Sequence, residues 1–145
     1  MEWTLEVVVV PVSDVDRAKE FYERRLGFHA DFDERPSERM RVVQLTPPGS
    51  GCSIVIGEGM VDMSPGSLQG LQLVVADVRA AQAELVERGV EVGGIQVAGS
   101  AGFRPLRDYD TLTGSELDNV GFLFFNDPDG NGWAVQQISA RGQAS

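Results

Sequence analysis

Apolar and polar positions change period along the chain in a fixed order, and the order occurs twice. Val7 to Val10 is a continuous apolar run of strand length. After it, Val15, Ala18, Tyr22 and Leu26 fall at i, i+3, i+7 and i+11, the spacing of one helix face. Ser13 or Asp14 caps that helix, Asp16 stands where a capping-box acid would, and Gly27 ends it. A short strand is expected near Phe28 to Phe32, then a polar loop, DERPSERM. A hairpin follows, joining Arg41–Thr46 to Cys52–Gly57 across PPGSG.

The second occurrence is found by laying VPVSDVDRAKEFYERRLGF (10–28) beside LVVADVRAAQAELVERGVEV (73–92). Val12, Asp14, Val15 and Ala18 match Val75, Asp77, Val78 and Ala81; Tyr22 matches Leu85, and after a one-residue gap Gly27 matches Gly89. Asp77 is then the second cap and Gly89 the second stop. Val90–Val97 reads as a strand, and Val120–Phe125 pairs with Gly132–Ser139 as a hairpin across NDPDGN. Each copy is therefore βαβββ, and the fold class is α+β. We expect a single domain: module one at 1–57, a turn-rich linker at 58–67, module two at 68–139 and a tail at 140–145. Residues 98–119 form the one long insertion, of a length usually functional or disordered in a small domain.

Composition narrows the partners. At 145 residues and 42% hydrophobic content the chain can bury a real core. No apolar run approaches the roughly 20 residues that span a bilayer. The start, MEWTLEVVVVPV, lacks a basic region and does not read as a signal peptide. A net charge of -10 repels nucleic acid and anionic membranes, so neither is expected as a partner. Cys52 is the single cysteine, which fits a reducing cytoplasm; it reads as a small apolar filler.

The two βαβββ copies, the opening PVSDVDRAKEFYERRLGF and the turn DPDGNGW together resemble the vicinal oxygen chelate superfamily. That family includes glyoxalase I, extradiol dioxygenases, fosfomycin-resistance enzymes and bleomycin-resistance proteins. The resemblance covers almost the whole chain. It implies a curved, mixed, eight-stranded sheet around a cavity, helices outside, and a homodimer. It also implies where a metal would be held. Seven residues before the capping aspartates stand Val7 and Gly70; five beyond Asp129 stands Ala134; the first-copy counterpart falls near Ile54 or Val55. None offers imidazole, thiolate or carboxylate, and His29, the one histidine, lies beyond the first helix. No metal and no other cofactor is therefore expected, and a metal-dependent glyoxalase or dioxygenase is disfavoured.

The same positions mark the cavity face, because strand residues alternate. That face carries Leu5, Val7 and Val9, then Gly70, Gln72 and Val74, then Gly132, Ala134 and Gln136. Gln72 and Gln136 read either as ligand contacts or as amides bonded to neighbours. Trp3, Phe122, Phe124, Phe125 and Trp133 lie on expected strands and read first as core; Trp3 and Trp133 also suit stacking on a planar ligand. Regular alternation turns Trp133 away from Ala134, toward the helix layer or a dimer partner. In the insertion, Phe103, Arg104, Arg107 and Tyr109 form either a clamp over a pocket mouth or a solvated loop, and Asp108 and Asp110 are possible bases. Arg41 and Gln44 are further candidates. The expected function is capture of an apolar or aromatic small organic molecule, as bleomycin-resistance proteins sequester their drug. The alternative is a metal-independent lyase, isomerase or cyclase.

Overall fold

Both capping aspartates do what the pattern asks of them. The computed structural model describes residues 1–107, 112 and 114–142. The chain forms two compact units, the first of residues 1–69 with 127–131, the second of 70–126 with the chain from Gly132 onward.

The first unit contains β1 (Val7–Val9), α1 (Val15–Glu20), β2 (His29–Ser37), β3 (Met40–Thr46) and β4 (Ser53–Glu58). The strands form one sheet in the order β1-β4-β3-β2, with β1 parallel to β4 and the other pairs antiparallel. Asp14 caps α1, its carboxylate accepting from the Arg17 N–H at 3.1 Å. After Glu20 the helix continues as a π-helical turn over Phe21–Arg25. This turn accounts for the gap between the copies: Gly27 lies thirteen residues beyond Asp14, whereas Gly89 lies twelve beyond Asp77. A π turn absorbs one extra residue without moving the ends of a helix. Val15, Ala18 and Tyr22 stay buried, as does the sheet face formed by Val43, Leu45, Ile54 and Ile56.

Two expectations are corrected here. The stretch DERPSERM is not a loop: β2 runs through Ser37 and turns only at Glu38 and Arg39. As an edge strand it is exposed along most of its length, so it shows no alternation, and it tolerates Pro36 and many charges. Asp16 does not close a capping box. It pairs with Arg41 at 2.8 Å, and Arg41 also grips Asp33 through two bonds of 3.0 and 2.8 Å. Arg41, with Lys19 at 3.1 Å, holds the Asp33 carboxyl at about 2.

The turn Asp127–Asn131 belongs to this unit, and its polar groups are buried. Asp127 is 4% exposed, yet its carboxylate accepts from the Tyr22 hydroxyl (2.8 Å), the Asn131 side chain (2.7 Å) and the N–H groups of Asp129 and Asn131 (both 2.9 Å). Asn131 is fully buried; it donates to the Pro11 carbonyl at 2.8 Å and accepts from the Leu68 N–H at 3.0 Å. Asp129 accepts from the Ser13 N–H (3.1 Å), the Ser13 hydroxyl (2.5 Å) and Arg17 (3.2 Å). Gly66 passes so close that a Cβ there would stand 2.0 Å from the Asp129 carbonyl oxygen. The turn thus fastens the start of α1 through Asp129, Tyr22 through Asp127, and the end of β1 and the linker through Asn131. That role needs no metal and persists although alanine follows at position 134.

The second unit contains β5 (Leu71–Val75), α2 (Val78–Glu87), β6 (Gln96–Gly99), β7 (Gly102–Pro105), a 3-10 turn (Gly114–Leu117), β8 (Gly121–Asn126), β9 (Gly132–Gln137) and α3 (Ser139–Gly142). Its sheet has the order β5-β9-β8-β6-β7, with β5 parallel to β9. The chain thus carries two mixed sheets of four and five strands. Asp77 caps α2 through the Ala80 N–H at 3.0 Å, and the buried Gln137 accepts from the Val78 N–H at 3.0 Å. The strand expected over Val90–Val97 begins only at Gln96, because Gly93 and Gly94 interrupt it. Part of the insertion is instead β7, paired to β6. Among the described residues no helix is long and apolar enough to cross a membrane.

Candidate ligand-binding face

Strand alternation splits the five-stranded sheet into two chemically different faces. One is core: Leu123, Phe125, Trp133, Val135 and Gln137 are all buried. Trp133 belongs here, 4% exposed, its ring parallel to that of Phe125 with centroids 6.1 Å apart. It therefore does not share a face with the other candidates of this sheet. The register places the opposite face. Gln72 lies beside Ala134, Val74 beside Gln136, Phe124 beside Ala134, Phe122 beside Gln136 and Gln96, and Phe103 beside Ala98.

Three aromatic rings meet on this second face. Phe122 and Phe124 are nearly coplanar in orientation, 8° apart with centroids separated by 6.1 Å. Phe103 stands edge-on to both, at 5.2 Å from each. Strands β7 and β8 are separated by β6, about 9.5 Å across two strand spacings. The small side chain of Ala98 between them leaves Phe103 room to reach β8. The cluster is not buried: Phe103 is 53% exposed, Phe124 41% and Val74 37%.

Beside the rings runs a chain of amides. Gln72 Nε2 donates to Gln136 Oε1 at 2.5 Å, and Gln136 Nε2 donates to the Asn119 carbonyl at 2.9 Å. Asn119 holds a left-handed backbone (φ 69°), which asparagine tolerates better than most residues. Each glutamine has one donor engaged, so the pair retains acceptor and donor capacity for a ligand. The face, from Gln72 and Val74 to Phe103 and Pro105, carries no charged side chain although the chain's net charge is -10. Among the described residues the strand positions of this face hold no titratable group; they can orient and stack a ligand.

The remaining candidates are distributed as follows. Gly70 precedes β5, exposed, with a φ of 87° that favours glycine. Arg104 neighbours Phe103 on β7 and donates to the Pro105 carbonyl at 3.4 Å. Val7 and Val9 lie in the first unit, on the face of the four-stranded sheet opposite Ile54 and Ile56. Tyr109, Asp108 and Asp110 lie outside the described residues. Trp3 is not in a strand and is 86% exposed. Phe122 and Phe124 had first read as core; an unbroken apolar run, Phe122 to Phe125, gives no period by which to choose.

The first unit carries a separate hollow of about 280 Å³, between Val9–Val12 and the Gly57–Met63 stretch that includes Met60. It also holds a polar chain. Ser53 and Thr46 hydroxyls lie 2.5 Å apart, Thr46 donates to Asp31, and Gln44 donates to Asp31 at 3.0 Å. Thr46 first and Gln44 second hold the Asp31 carboxyl below its ordinary range. A carboxylate stabilised in this way is a poor base.

A family model described as the glyoxalase/bleomycin resistance protein/dioxygenase superfamily matches residues 4–135. The chain belongs to this superfamily. The positions at which the resemblance implies a metal, Val7, Gly70, Ala134 and Ile54 or Val55, carry no ligating side chain. Among the described residues no three His, Cys, Asp or Glu side chains come together to hold an ion. Among solved structures, TnmS3, an antibiotic binding protein from Streptomyces sp. CB03234, is 34% identical, with 95% of this chain and 98% of that one covered at a TM-score of 0.71. A glyoxalase/bleomycin resistance protein from the same organism is 34% identical over 92% of this chain and 100% of that one, with a TM-score of 0.67. A superfamily member from Sphaerobacter thermophilus DSM 20745 is 27% identical over 94% and 98%, with a TM-score of 0.71. No curated protein matches the chain.

Proposed function

We propose that this superfamily member captures an apolar or aromatic organic compound and returns it unchanged, as an antibiotic-sequestering protein does. One observation carries the reading: a floor of the exposed Phe103 and Phe124 with the half-buried Phe122, beside the Gln72–Gln136 amides, on strands without charge on that face. Exposed rings of this kind gain most from a planar partner, and the amides fix its orientation. The likeness to an antibiotic binding protein supports it. The capture needs no metal, in keeping with the valine, glycine and alanine at the ligand positions. The working form is a cytoplasmic homodimer, the compartment being suggested by the lone Cys52.

Calorimetric titration with a panel of planar aromatic natural products tests the proposal. The expected result is saturation at one ligand per protomer, with the compound recovered unchanged by mass spectrometry. The second reading, a metal-independent lyase, isomerase or cyclase, draws on the Ser53–Thr46–Asp31 chain beside His29, 3.8 Å from Asp31. Conversion of the bound compound, abolished by Thr46→Val, would install it instead. Absence of both binding and conversion across the panel would sink both readings.

A further inference from the structure

The chain of amides on the five-stranded sheet has a direction, and the direction is set at one end by backbone. The peptide around Asn119 is held in place: its N–H donates to the Gln137 carbonyl at 2.8 Å, and its φ is 69°. The Asn119 carbonyl can only accept. Gln136, whose side-chain nitrogen lies 2.9 Å from it, must therefore aim its NH2 group there and its Oε1 the other way. Gln72 then meets an oxygen and must turn its own nitrogen to it, at 2.5 Å. A flipped Gln72 would set oxygen against oxygen. The polarity of one backbone carbonyl is thus passed through two side chains to Gln72 Oε1. Gln72 is exposed, and this oxygen accepts from no described residue.

We infer that this face selects aromatic compounds bearing a hydrogen-bond donor on the ring, a phenolic O–H or an N–H, with Gln72 Oε1 as the acceptor and Gln136 as the residue that orients it. The inference rests on reading the aromatic face as the ligand site, and it names the ligand class of that site. The register fixes the span. Ala134 lies between Gln72 on β5 and Phe124 on β8. Gln72 and Phe124 therefore stand about 9.5 Å apart, two strand spacings, with only a methyl group between them. A flat two-ring compound seated over Ala134 meets Phe124 with one edge and presents its donor to Gln72 with the other. The cost of a mismatch is uneven. The amide nitrogens of Gln72 and Gln136 each already make one bond, whereas the Gln72 oxygen depends on water. A ligand without a donor displaces that water and leaves the acceptor unsatisfied, which costs more than a bond never offered. A ligand carbonyl in the same place sets two acceptors against each other.

Equilibrium titration with 2-naphthol, 2-methoxynaphthalene and 2-acetylnaphthalene tests this. The three share their rings and differ in the polar group. The wild type should bind 2-naphthol about five- to tenfold more tightly than either of the others, the size of one net hydrogen bond. Gln72→Leu removes the acceptor, and Gln136→Leu frees Gln72 to turn. In both variants the preference should fall to within about twofold of parity. The ratio is read because a loss of packing alone would weaken all three compounds together. Equal affinities in the wild type, tighter binding of 2-acetylnaphthalene, or a preference unchanged in Gln136→Leu would overturn the donor rule and leave the ligand reading standing. Failure of all three compounds to bind the wild type would remove the ligand reading and the donor rule with it.

Discussion

The turn Asp127–Asn131 and the open face of the five-stranded sheet invert the usual distribution of side chains. The turn buries two polar residues, Asp127 at 4% exposure and Asn131 at 0%, while the sheet exposes Phe103 and Phe124. Each inversion has its own physical meaning. Buried polar groups that are fully hydrogen-bonded fix one local geometry, and removing any partner leaves the others unsatisfied. Exposed aromatic rings contribute little to folding and retain their gain for a binding event. The first is architecture and the second is a site, although the two are neighbours in sequence and a motif search would join them as one signature.

The comparison breaks most visibly at Asp127. Asp127→Ala strips acceptors from the Tyr22 hydroxyl and the Asn131 amide inside the first unit. A loss of about 3 kcal/mol or more is expected in urea or thermal unfolding, the range for breaking a buried charged network. Phe124→Ala tests the other side. Unfolding should move by less than about 0.5 kcal/mol, as for an exposed position, while affinity for the captured compound falls by about 1–3 kcal/mol in calorimetry. Equal effects of the two substitutions on stability would erase the distinction. Gln136→Leu sharpens it further: losing the bonds to Gln72 and Asn119 should cost about 0.5–1.5 kcal/mol of affinity with little change in stability.

The smallest effect is one of pH. Asp33 is held at about 2 by Arg41, below the usual 3.8. A depressed carboxylate stabilises the fold above the unfolded value and loses that contribution as pH falls from 3.8 through about 2. With Asp33 partly open to solvent, the term is at most about 1 kcal/mol. Acid unfolding of Asp33→Asn should lack this step, whereas ligand affinity, resting on strand positions with no titratable group, should stay flat across neutral pH.

Much of this could be read from residue order. Asp14 and Asp77, Gly27 and Gly89 mark both helices because caps and stops act within one turn of chain. The one-residue gap between copies was visible, but its form as a π turn was not, since an extra residue can equally lengthen a loop. Strand β2 was missed beyond Phe32 because an exposed edge carries no alternation. The candidate face was half legible: Gln72, Ala134 and Gln136 follow from counting, but Phe122 and Phe124 hide in a run apolar on both sides.

By itself, then, the sequence determined the repeat, the caps, the loss of metal-ligating atoms and the acidity, all of which depend on which residue stands where. Only the tertiary structure decided that Asp127 and Asn131 of the DPDGN turn are buried fasteners, that Trp133 belongs to the core, and that Phe103 reaches across Ala98 to complete an aromatic floor. Those outcomes depend on strand pairing and register between distant segments, and a shift of one residue in register sends every side chain to the opposite face.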